Sequence, residues 1–280
     1  MTSNSTDQTE VNRLWWNERV ASHVAAPFYR AKDVMAGNPR PLTLERTELG
    51  DLTGKSLLHM QCHFGLDTLS LAMYGAKVTG LDFSSEAIVA AREIAAKTGV
   101  EARFIETNIL EADKALDEQF DIVFTSWGVL GWLPDHERWA EVAANFVKPG
   151  GTFYIAEIHP LIWLFDDQDE TRIPRDKPVY YGLYDYFHKQ DPIIEDGGGS
   201  YATGETSYKN NRTHSWIFEL GRIVTLLIEK GLVVEFVHEH DFTCNDQWPA
   251  MIERPDGMWT LPEDWPRMPL SFSIKATKPL

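Results

Sequence analysis

Through the middle of the chain, short runs of apolar and β-branched residues alternate with amphipathic stretches. The runs fall at 56–60, 77–81, 102–106, 121–125 and 152–157. They recur every ~20 to 30 residues, the spacing of repeated strand–helix units. Right-handed crossovers between such units build a parallel sheet with helices on both faces, so the pattern predicts an α/β, doubly wound fold. One intervening segment states its helix plainly: 84–97 reads SSEAIVAAREIAAK, with serines to cap its start, Glu early, Lys late and Thr98-Gly99 as a stop. A further helix is predicted at 11–23, ahead of the sheet, around Leu14, Trp15 and Val20.

After His159-Pro160 the alternation breaks into a stretch rich in aromatics, Pro, Gly and charge. It includes Pro174, Pro178, Tyr180, Tyr181, Tyr184, Tyr186, Phe187 and Gly197-Gly198-Gly199. A structureless loop of ~55 residues is uncommon inside a compact domain, so a lid insertion with irregular strands is expected. Periodicity returns as a helix at 218–230, ended by Gly231, then a strand at 232–240 and a last strand at 270–276. The proline- and tryptophan-rich 241–269 reads as a long loop. The expected organisation is a helical cap over 1–50, an α/β core over 51–160, a lid over 161–215 and the rest of the core sheet over 216–280.

Charge narrows the partners. With 26 Lys+Arg against 42 Asp+Glu the net charge is −16, and no basic cluster offers to neutralise phosphates, so neither a nucleic acid nor an anionic membrane surface is expected. At 43% hydrophobic and 12% aromatic the chain can bury a sizeable core. Cys62 and Cys244 make neither a disulfide framework nor a CxxC pair, which suits a reducing cytoplasm. No apolar run reaches the ~20 residues of a membrane span. The polar stretch 1–10 lacks the pattern of a signal peptide, so a soluble cytoplasmic protein is expected.

The first strand-to-helix turn, KSLLHMQCHFGLDTLS at 55–70, is where a doubly wound sheet receives a nucleotide-like ligand. Asp82 closes the next strand, where an acid can accept both hydroxyls of a ribose; equally, it can cap the helix that opens at Ser84.

From 57 to 158 these motifs resemble a class I S-adenosylmethionine-dependent methyltransferase. The first family motif, an acid followed by Gly-x-Gly-x-Gly, corresponds to His59-Met60-Gln61-Cys62-His63-Phe64-Gly65: His59 replaces the acid, Gln61 and His63 replace two glycines, and Gly65 remains. With glycine absent, Gln61 and His63 are expected either to take ordinary backbone angles or to fill part of the space with polar side chains. Asp82-Phe83-Ser84 matches the ribose acid and its neighbours, and Asn108-Ile109 the adenine pair. The run 120–127 (FDIVFTSW) matches the fourth-strand motif and Lys148-Pro149-Gly150-Gly151 the turn before the fifth strand. The whole chain is also similar to a bacterial group of small-molecule methyltransferases that share the His63–Thr68 turn, Trp16-Asn17 and Glu239-His240-Asp241-Phe242. The resemblance implies a seven-stranded Rossmann-like sheet with an antiparallel last strand. It also implies S-adenosylmethionine as donor, with S-adenosylhomocysteine as product, and methyl transfer to O, N or C of a small molecule, with a homodimer left open. Implied donor contacts are Gln61, Cys62, His63, Gly65, Asp67, Asp82, Phe83, Ser84, Asn108, Ile109, Ser126 and Trp127. Two rivals stand beside it: a non-catalytic donor-binding sensor or partner, favoured by the missing glycines, and an NAD-dependent oxidoreductase, which lacks its GxGxxG here.

Methyl transfer is largely a matter of holding donor and acceptor in line, with a base to take the acceptor's proton. His159, ending the fifth strand on the ligand edge of the sheet, is the expected base; the bland alternative is a bond to the lid backbone. Trp15, Tyr29, Trp132 and Tyr186 are expected around the acceptor, by cation–π contact or as an apolar wall, although core packing explains aromatics equally well. His238 and His240 share one strand face but read as a structural pair, so no metal is expected.

Overall fold

The computed structural model describes residues 2–164, 183–197, 199–204, 207–248 and 250–280, with side chains from residue 8 onward. Pro174, Pro178, Tyr180, Tyr181 and Gly198 of the expected lid lie outside the described residues. Three helices lead in: α1 (Thr2–Ala25), α2 (Ala31–Met35) and α3 (Thr43–Leu49). The alternating core follows as β1 (Ser56–Met60), α4 (Leu66–Met73), β2 (Lys77–Asp82), α5 (Ser85–Thr98), β3 (Ala102–Glu106), α6 (Ala112–Ala115), β4 (Phe120–Ser126), α7 (His136–Phe146) and β5 (Val147–Ile158). The remainder comprises β6 (Ile193–Glu195), β7 (Thr213–Ser215), α8 (Leu220–Glu229), β8 (Val233–His240), β9 (Phe242–Thr243), β10 (Ile252–Glu253), β11 (Trp259–Thr260) and β12 (Ser271–Thr277).

Seven strands form one sheet in the order β3-β2-β1-β4-β5-β12-β8. Strands β1 to β5 pair in parallel, while β12 runs antiparallel to both β5 and β8. Adjacent residues of the central strands serve opposite faces: Leu58, Val123 and Phe153 pack with α7 and α8, and Leu57, Ile122 and Tyr154 pack toward α3 and α4. The crossovers run outward from β1 to β3 and then return to β4. This places the topological switch point, and with it the ligand crevice, at the carboxyl ends of β1, β2 and β4.

Two additions surround that crevice. The 241–269 segment, expected to be a loop, contains a small sheet β10-β11-β9 over its own apolar cluster of Trp248, Met251, Leu261 and Trp265. Part of the insertion is tied to α1 rather than standing apart. The Asn12 side-chain amide pairs with the His214 backbone in both directions, at 2.7 and 2.8 Å. Arg19, fully buried, donates to the Gly199, Trp15 and Asn210 carbonyls and lies 3.8 Å over the Trp15 ring. Glu18 accepts the Lys209 and Asn210 amides.

Candidate active site

The turn after β1 is tightly pinned. The Cys62 amide donates to the Leu81 carbonyl at 2.8 Å and the Gly65 amide to the Cys62 carbonyl at 2.9 Å. Gln61 (φ 57°) and His63 (φ 52°) both hold left-handed backbone, the conformation that the family's glycines supply freely. They therefore keep the turn's shape at a conformational cost, and do not adopt ordinary angles. Each also carries a buried polar atom without a partner among the described residues, Gln61 Oε1 and His63 Nε2. Gly65 (φ 77°) allows no alternative, because a Cβ there would sit 2.7 Å from the Phe104 ring. Cys62 points into the core, and burial pushes its thiol well up.

Asp82 ends β2 beside this turn. Its carboxylate accepts the His63 amide at 2.7 Å and the Ser84 amide at 2.9 Å, and burial pushes its pKa up to about 6. A carboxylate has roughly four acceptor positions, so it retains capacity for a ligand's hydroxyls. Ser84 Oγ caps α5 by accepting the Ala87 amide at 3.1 Å, so the capping and ribose readings of this segment divide between two neighbouring residues. Phe83 is half-buried next to them.

Aromatic rings roof the turn. Trp16 meets His63, Trp15 and Trp132 at 5.0, 5.0 and 5.2 Å, and Tyr29 lies 5.5 Å from His63. His23 and Tyr201 join this group, His23 through a 2.9 Å bond to Ser200 and Tyr201 through its hydroxyl contact with Tyr29. Burial, helped by the Arg19 charge, lowers His23 to about 4, so its ring is neutral. Trp15, Tyr29 and Trp132 thus converge. The Tyr186 hydroxyl accepts the Leu220 amide at the start of α8.

At the end of β4, Ser126 Oγ bonds His59 Nε2 at 3.1 Å, while His59 Nδ1 bonds Thr68 Oγ1 at 2.8 Å. Burial lowers His59 to about 4, so a neutral ring stands where the family has an acid. Trp127 follows with a strained φ of 34°, and its indole N–H donates to Glu45 Oε1 at 2.8 Å. Glu45 is 3% exposed, and burial raises it to about 7. Asp67 is held by Arg40 at 2.8 Å. The loop 127–130 is fixed from below by Glu157, whose buried carboxylate accepts the amides of Gly128, Val129 (2.8 Å), Leu130 (3.0 Å) and Ile158 (2.6 Å).

The chain after β3 stays beside Asp82, whose carbonyl accepts the Thr107 amide at 2.8 Å. Asn108 caps a short turn by accepting the Leu110 amide at 3.0 Å, and Ile109 is 5% exposed within the core. His159 is 3% exposed, and both ring nitrogens are engaged, Nδ1 by the Leu161 amide (3.2 Å) and Nε2 by Glu239 (3.1 Å). No nitrogen remains to receive an acceptor's proton in this arrangement, and the bond to Leu161 is of the backbone kind that the bland reading expects. His238 bonds Glu48 and His240 bonds Ser273, and among the described residues no group of metal ligands gathers. Sequence reasoning gave no role to Asn17, His23, Arg40, Glu45, Glu157 or Tyr201; of these only Asn17, beside Trp16, carried a motif.

A family model described as a methyltransferase domain matches residues 58–153. The antiparallel β12 between β5 and β8 separates this sheet from the dinucleotide-binding order and agrees with that match. Residues 58–153 thus form a methyltransferase domain of the S-adenosylmethionine-dependent kind. Among curated relatives of that kind, the ubiquinone biosynthesis O-methyltransferase of Photorhabdus laumondii is 29% identical over 164 residues, covering 56% of this chain and 64% of the relative. That of Shewanella pealeana is 33% identical over 161 residues, covering 56% and 65%. The chain therefore spans just under two thirds of these relatives' length. The methyltransferase fold extends further: a putative S-adenosylmethionine-dependent methyltransferase from Listeria monocytogenes superposes with TM-score 0.56 at 17% identity, covering 88% of this chain and 99% of the other. The structure titled DhpI–SAH complex gives TM-score 0.57 at 16% identity over 99% of both chains.

Proposed function

We propose that the protein transfers a methyl group from S-adenosylmethionine to an oxygen of a small, ring-bearing molecule. The observation that carries the donor half is Asp82, a buried acid with spare acceptor capacity at the end of β2, facing a left-handed turn on a methyltransferase sheet. Asp82 would hold the ribose, and the 61–65 turn with Asp67 and Arg40 would hold the amino-acid end. When bound, the donor supplies an electrophilic methyl on a sulfonium.

The acceptor half rests on two supports. The curated relatives are O-methyltransferases, and the roof of Trp15, Trp16, Trp132 and Tyr29 is aromatic, a wall suited to a ring. Glu45, bonded to Trp127 beside the β4 end, replaces His159 as the group placed to take the acceptor's proton, because its raised pKa leaves it balanced between acid and base near neutrality. The test is transfer of label from methyl-labelled S-adenosylmethionine to a panel of phenols, catechols and amines, with products identified by mass. Label in phenol or catechol ethers is expected; label confined to amines would refute the oxygen assignment.

A further inference from the structure

Resting on the donor-site reading above, we propose that Asn17 of α1 is a positioning residue of the donor site, which makes the N-terminal helix a working part of that site. Asn17 and Trp16 are neighbours in α1, and each reaches a different half of the site. The Trp16 ring lies 5.0 Å from His63 in the first turn. The Asn17 amide grips the start of α5: its Oδ1 accepts the Ser84 hydroxyl at 2.6 Å, and its Nδ2 donates to Ser85 Oγ at 3.2 Å.

The contacts close into a circuit. Ser84 is fully buried, and its hydroxyl has one proton to give. Giving it to Asn17 turns the oxygen's lone pairs toward the Ala87 amide, which caps α5. The Ser84 amide in turn donates to Asp82, whose other oxygen accepts the His63 amide, and His63 returns to Trp16. Removing Asn17 strips the Ser84 hydroxyl of its buried acceptor and frees its rotamer, so the cap and the carboxylate that depends on it lose their common setting. The ties that fasten α1 to the insertion, through Asn12, Glu18 and Arg19, are separate from this circuit.

S-adenosylhomocysteine titration of the full chain, with hydrogen–deuterium exchange, tests this. Asn17→Ala should weaken S-adenosylhomocysteine about tenfold, the loss of roughly one buried hydrogen bond. Asn17→Asp, which restores the acceptor for Ser84, should recover affinity to within about threefold of native. In the native protein the ligand should slow exchange in 12–24 and 84–90 together, and Asn17→Ala should abolish the slowing in 12–24 alone. Glu18→Gln, which loosens α1 only from 209–210, should lower the melting temperature without changing affinity. If Asn17→Ala binds as tightly as native, or if the ligand leaves exchange in 12–24 unaltered, the positioning role is overturned while the donor site stands. If the native protein itself does not bind, the donor-site reading falls and this inference with it.

Discussion

Replacing Asp82 by Asn separates what the carboxylate does for the fold from what it does for the ligand. Asp82 is 7% exposed, and burial moves its pKa from 3.8 to about 6. Folding thus raises the pKa of this acid. Its favourable contribution to stability is fully present below the unfolded value, where it is protonated in both states, and is lost as pH rises through about 6. At neutral pH the buried charge costs about 3 kcal/mol, from roughly two pH units at 1.36 kcal/mol each. Asparagine removes that cost but turns an NH2 toward one of the two backbone amides that now donate to the carboxylate, leaving it unsatisfied at about 1–3 kcal/mol. The opposing effects nearly cancel, so urea unfolding at pH 7 should change by less than ~2 kcal/mol. Ligand affinity has no such compensation: losing a charged acceptor for ribose hydroxyls should weaken S-adenosylhomocysteine by ~10- to 100-fold in calorimetric titration. Native affinity should also rise with pH through about 6, a slope absent from Asp82→Asn. The neighbouring His23 and His59, held near 4, do not titrate in that range, and Glu45→Gln removes the other group that does. A variant that binds within about threefold of native would refute the role of Asp82.

Other substitutions address the supports around the site. Glu157→Ala should cost ~3 kcal/mol or more in urea unfolding, because four backbone amides lose one buried acceptor. Gly65→Ala, whose new Cβ would meet Phe104 at 2.7 Å in left-handed backbone, should destabilise by ~2 kcal/mol or more and lower donor affinity with it. His159→Gln should lower the melting temperature slightly, since half-exposed Glu239 contributes little, and leave S-adenosylhomocysteine affinity unchanged in titration. Glu45→Gln should retain donor binding while slowing methyl transfer to phenols and flattening its pH profile near 7, measured as initial rates with labelled donor.

The fold was legible where local and global signals agree. The strand at 56–60 and the helix begun by Ser84 emerge where period and capping predict them, because buried parallel strands and capped helices leave compact sequence marks. The small sheet within 241–269 was not legible, since strands of two residues are shorter than any period. At the site, the place of Asp82 at the end of β2, beside the first turn, could be read from the strand that it closes. For Gln61 and His63 the sequence leaves two outcomes open, ordinary angles or polar side chains that fill part of the space, and the left-handed backbone at both positions excludes the first. Position at the end of β5 suggested a free imidazole at His159, but only the register of β8 reveals Glu239 beside it. Glu45 and Asn17 act across long sequence separations, through Trp127 and Ser84, and pairings of that kind leave no spacing to read.

The most direct measurement is calorimetric titration of the native protein with S-adenosylhomocysteine, with NAD as the comparison. One S-adenosylhomocysteine bound per chain, displaced by S-adenosylmethionine and with no heat from NAD, is the predicted result. No binding of either sulfur nucleotide, or binding of NAD in their place, would contradict the account.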